Sequence, residues 1–137
     1  MVGVIVAAHG NLAGELVATT ERIAGKLERI ESVSILPREG IEDLEKKIAA
    51  AIEKVKGPSG VIILIDIYGG SPATASLSFI DKYPLKIISG VNLPMILEVV
   101  TRREKSGLDE LAGLAARAGL KSILPVDEIF RQRRKSN

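Results

Sequence analysis

Gly57-Pro58-Ser59-Gly60-Val61-Ile62-Ile63-Leu64-Ile65-Asp66 is the stretch on which the fold of this chain turns. Two glycines, a proline and a serine break whatever precedes them. Five consecutive aliphatic residues, mostly β-branched, then form a run too short for a helix and too apolar for a strand with one wet face. The run predicts a strand covered on both sides, at the centre of a sheet. Asp66 closes it.

Outward from that strand, strand-like and helix-like segments alternate. Val2–Ala8 is a second apolar run, stopped by His9-Gly10. From Leu12 the apolar residues Leu12, Leu16, Ile23 and Leu27 fall at helical spacing. Ile30–Leu36 alternates and ends at Pro37, which predicts a strand. Ile41, Leu44, Ile48, Ile52 and Val55 mark one face of a helix, with Glu42–Lys46 and Asp43–Lys47 paired on the other. Beyond Asp66, a helix is expected from Ser71-Pro72 to about Tyr83, then a strand at Leu85–Ser89 and a helix from Pro94 to about Lys105. Ser106-x-x-Asp109 has the form of a capping box for one more helix, ended by Gly119, and Ser122–Val126 suits a short final strand.

Strands joined by helix-length segments require parallel pairing, hence an α/β fold. The expected architecture is a three-layer sandwich around a mainly parallel sheet of order 2-1-3-4, with a short C-terminal edge strand. A chain of 137 residues fits one domain. No repeat or linker divides it, and Arg131–Lys135 reads as a solvated, frayed basic tail.

The totals exclude several kinds of function. Without cysteine there is no disulfide or thiolate metal site, and one histidine cannot build a multi-histidine metal site. No metal or other cofactor is expected. Aromatics make up 3% of the chain and the net charge is +2, which argues against nucleic-acid binding. Val2 enters a strand with no basic leader, and Val61–Ile65 is too short to cross a bilayer, so a cytoplasmic protein is expected.

In a sheet of this order, ligands bind beyond the carboxyl ends of the strands, where the winding reverses between the first and third strands. His9 follows the first and Asp66 the third. A carboxylate that accepts the N–H of one imidazole nitrogen fixes the tautomer and aims the other nitrogen outward as a nucleophile. Gly69-Gly70-Ser71-Pro72 adds a backbone that approaches a ligand closely and a helix start with Ser71 as N-cap, suited to a phosphoryl group. Gly10, opening the helix after His9, is a similar candidate. His9, Asp66 and Ser71 are therefore the candidate catalytic residues, and Gly10, Gly69, Gly70 and Ser71 the candidate phosphoryl-binding set.

At these residues the sequence resembles the enzyme IIA domain of the mannose-family sugar phosphotransferase system. The matching strings are Val-Ile-Val-Ala-Ala-His-Gly (4–10), Leu-Ile-Asp-Ile-Tyr-Gly-Gly-Ser-Pro (64–72) and Ser-Gly-Val-Asn-Leu-Pro-Met (89–95). The resemblance implies a phosphocarrier domain over residues 1–126; the basic tail over 127–137 is a departure that the family motif does not account for. It implies phosphorylation of His9 at Nε2, with Asp66 as its hydrogen-bond partner and Ser71 beside the phosphoryl group. The implied donor is HPr and the implied acceptor a IIB domain, which serves the membrane components IIC and IID, so that partners hold the chain near the inner face of the membrane. A homodimer is also implied, in which Ser122–Val126 pairs with the partner's sheet.

Two other functions use the same residues. A relative of an incomplete phosphotransferase system would be a regulatory phosphoprotein without sugar transport. A hydrolase would use Ser71, His9 and Asp66 as a triad, although Gly-Gly-Ser-Pro lacks the Gly-x-Ser-x-Gly nucleophile elbow.

Overall fold

The computed structural model describes residues 1–136. Its elements are β1 (Gly3–His9), α1 (Leu12–Ala24), β2 (Ile30–Ile35), α2 (Ile41–Val55), β3 (Val61–Ile65), α3 (Ser71–Leu77), β4 (Leu85–Ile88), α4 (Leu93–Arg102), α5 (Leu108–Lys121) and α6 (Val126–Ser136). The four strands form one all-parallel sheet of order β2-β1-β3-β4, as the alternation of apolar runs and helical segments required.

Successive side chains of a strand point to opposite faces, and the two central strands use both. Ile5 and Ala7 of β1 with Val61, Ile63 and Ile65 of β3 meet Leu44, Ile48, Ile52 and Val55 of α2 and Ala75 of α3. Val4, Val6 and Ala8 with Ile62 and Leu64 meet Ala13 of α1, Met95, Ile96 and Val99 of α4, and Leu111 and Ala115 of α5. That makes a three-layer sandwich whose two central strands are buried on both faces.

Several local expectations are corrected. Ser122–Val126 forms no strand: residues 123–125 belong to no element and the chain then coils into α6. A lone extended segment has no ladder partner within the chain, whereas Val126 onward gains intrahelical bonds and an Asp127–Arg131 pair at 3.1 Å. The tail is accordingly an exposed helix rather than a frayed coil. Helix α3 ends at Leu77 instead of near Tyr83, because the next turns tighten into i→i+3 bonds, Phe79 N–H to Ser76 O and Ile80 N–H to Leu77 O. Gly107, not Ser106, caps α5. Gly119 does not end α5 but lies within it, where a Cβ would come 2.7 Å from Met95 Cε, so the residue permits close α4–α5 packing.

Because Ile63 is fully buried in the central strand, Ile63→Ala should lower unfolding stability by about 2–5 kcal/mol, read from chemical-denaturation midpoints.

Candidate functional site

The parallel register sets Ala7 opposite Ile65, so β1 runs on to His9 while β3 stops one residue short of Asp66. Where the β3 backbone departs, its carboxylate takes over. Asp66 Oδ2 accepts the backbone N–H of His9 at 2.9 Å and also lies 2.9 Å from His9 Nδ1. The other oxygen, Oδ1, accepts the N–H of Ile67 at 2.9 Å. One side chain thus completes the strand pairing, orients the ring and begins the next loop.

Half of the His9 side chain is exposed (51%), whereas Asp66 is nearly covered (10%). With Nδ1 held by the carboxylate, Nε2 is the nitrogen left for an incoming group. A Cβ built on Gly70 would lie 3.6 Å from His9 Cε1, which places the Gly70 backbone against the ring edge between its two nitrogens. Gly69, at φ +88°, turns the chain into that approach through a conformation few other residues adopt. Leu12, Leu36, Ile67 and Tyr68 are exposed on the segments that leave β1, β2 and β3 at this end of the sheet. Tyr68 therefore projects into solvent and is not packed as a wall.

Residues 3–115 match the family described as "PTS system fructose IIA component", the mannose-type IIA family. The chain belongs to that family. It is 33% identical over 124 residues to the mannose-specific EIIAB component of Escherichia coli K12, a match that covers 89% of this chain and 38% of that one. The chain therefore spans about two-fifths of the length of that two-part relative. With the fructose-specific EIIA component of Bacillus subtilis it shares 34% identity over 112 residues, 81% of this chain and 77% of the other. The crystal structure of phosphotransferase system component EIIA from Streptococcus agalactiae superposes with a TM-score of 0.83 at 25% identity, covering 93% of this chain and 99% of that one.

The IIA fold brings His9, Asp66 and Gly70 together as the strand order required. It revises the rest of the candidate set. Gly10 donates its N–H to Ile35 O at 3.0 Å, and Asn11, not Gly10, precedes α1, so the Gly10 donor is already engaged. Gly70 is the N-cap of α3 and Ser71 its first residue, one position earlier than expected. Ala73 N–H is taken by Gly70 O at 3.1 Å and Pro72 has no N–H, which leaves Gly70 and Ser71 as the backbone donors of this turn. Ser71 is exposed, and among the described residues its hydroxyl makes no hydrogen bond with His9, so no Ser-His-Asp triad is assembled. Also among the described residues, no three His, Asp, Glu or Cys side chains group as metal ligands, and no helix is long and apolar enough to cross a membrane.

Burial raises the Asp66 carboxyl pKa. Hydrogen bonds from the His9 backbone and ring, attraction to a charged ring and the Ile67 N–H outweigh it and hold the group below its ordinary 3.8. A carboxyl whose folded pKa is depressed stabilises the fold above its unfolded pKa, and that contribution disappears as pH falls through the folded value. Wild type should therefore exceed Asp66→Asn in stability near neutrality. The gap should close on acidification below pH about 4, which denaturation midpoints measured across that range would show.

Proposed function

We propose that this IIA chain is a phosphocarrier that accepts a phosphoryl group from HPr on His9 Nε2 and passes it to a IIB domain for sugar uptake. The observation that carries the proposal is the fixed acceptor at Nδ1. A carboxylate has no proton to give, so the neutral ring donates from Nδ1 and keeps its lone pair on Nε2.

In the forward step that lone pair attacks the phosphorus of the donor's phosphohistidine. A P–N bond forms at His9 Nε2 as the donor's P–N bond breaks, and the departing imidazole keeps the electron pair. The Nδ1 proton stays between the ring and Asp66, whose negative charge stabilises the positive charge the ring gains. Transfer between histidines needs mainly alignment and charge stabilisation. The Gly70 and Ser71 N–H groups and the Ser71 hydroxyl stand at the same turn to receive phosphoryl oxygens.

The exposed ring and the apolar residues around it suit brief contacts with carrier proteins, for which a modest interface is enough. Such a role belongs in the cytoplasm, beside the membrane partners. A homodimer would cover Ile123 and Leu124, both exposed in the single chain.

Incubation with phosphoenolpyruvate, enzyme I and HPr should add one acid-labile phosphoryl group, measured by intact mass, and His9→Ala should add none. Asp66→Ala should accept phosphate about a hundredfold more slowly, and Ser71→Ala should be slowed but still charged. Label that remains in His9→Ala would overturn the assignment, and loss of all charging in Ser71→Ala would favour a serine nucleophile.

A further inference from the structure

The string Gly90-Val91-Asn92-Leu93-Pro94-Met95 lies one strand away from His9 and has no part in the chemistry above. Its placement gives it one. The β3–β4 pairing ends at Leu64 opposite Ile88, so Ile65, the last residue before Asp66, has no partner on β4. Ser89 and Gly90 loop out, with Gly90 at φ +78°, and the chain returns so that Val91 N–H donates to Ile65 O at 3.0 Å. The bond that anchors the end of β3 thus comes from a loop.

Asn92 holds that loop by both ends of its side chain. Oδ1 accepts Met95 N–H at 3.0 Å and caps α4. Nδ2 donates to Gly119 O at 3.2 Å and to Ser122 Oγ at 3.3 Å, and the Ser122 hydroxyl in turn donates to Gly119 O at 2.7 Å. The loop is therefore tied to the C-terminal end of α5, where Gly119 lies against Met95.

We propose that Asn92 is a positioning residue for the His9–Asp66 pair. By bracing Val91 on Ile65, it holds the end of β3 where the Asp66 carboxylate meets the backbone N and the ring Nδ1 of His9. The path is short and continuous, from the Asn92 amide through Val91 and Ile65 to the adjoining Asp66. Capping alone would be served equally well by aspartate. A carboxylate at this position could not donate, however, and would set an anionic oxygen against Gly119 O. Asn92→Asp therefore separates the two roles, keeping the cap and losing the brace. The kinetic consequence rests on the phosphocarrier reading; the geometric one does not.

The test compares wild type, Asn92→Asp and Ser122→Ala by the ¹⁵N-detected titration of the single imidazole and by the rate of charging from phosphorylated HPr. Asn92→Asp should remain folded, shift the His9 Nδ1 resonance and its titration midpoint, and charge about tenfold more slowly to the same final mass. Ser122→Ala keeps the cap and the Asn92 bond to Gly119 O, loses only the bonds of the Ser122 hydroxyl, and should move the same signals in the same direction by less. If Asn92→Asp folds and leaves both the imidazole titration and the charging rate at wild-type values, the proposal is overturned, whatever happens to its melting temperature. If that variant does not fold, Ser122→Ala decides on the same criterion. A wild-type chain that HPr cannot charge removes the phosphocarrier reading, and the imidazole titration then decides the positioning role by itself.

Discussion

Asp66 Oδ2 stands 2.9 Å from two nitrogens of the same residue, the backbone N and the ring Nδ1 of His9, and the site depends on that shared acceptor. The backbone bond fixes where β1 ends, and the ring bond fixes which nitrogen faces outward. A hydrogen bond to a charged group contributes about 1.5–3 kcal/mol net, with the lower end appropriate beside a half-exposed ring. Its greater effect is directional, since the ring is held before any partner arrives.

The sheet supplies the remainder. Only parallel β1 and β3, adjacent and both buried, bring a residue from each carboxyl end to one place. Their burial on both faces makes the positions rigid, while the residues just beyond them are free to be polar, exposed and reactive. Ile67 and Tyr68 show the same division. They follow a fully buried strand directly, yet they project into solvent.

Much of this was legible in the sequence because it follows from covalent order and apolar periodicity. Val61–Ile65 named the central strand, and the helix-length segments around it forced parallel pairing in the observed order. His9 and Asp66 then fell together as a consequence of topology. Details that depend on competition between nearby hydrogen bonds were not legible. Gly10 looked like an anion donor until Ile35 O took its N–H, and Ser71 looked like the cap that Gly70 supplies. Gly119 carries the signature of a helix end, yet it lies inside α5 against Met95, a contact between residues 24 positions apart that no local pattern reveals. The segment after Ser122 was ambiguous for a related reason. Strand formation there needs a neighbouring sheet edge, and within one chain the residues from Val126 onward satisfy their backbone as a helix instead.

The most direct measurement of the central claim is the ring position of the phosphoryl group, read from ³¹P–¹⁵N coupling in the charged protein, whose single histidine removes any ambiguity of assignment. A carboxylate holding Nδ1 predicts phosphorus bonded to Nε2. Phosphorus on Nδ1 would mean that the ring is not held by Asp66 in solution, and the account built on that contact would be wrong.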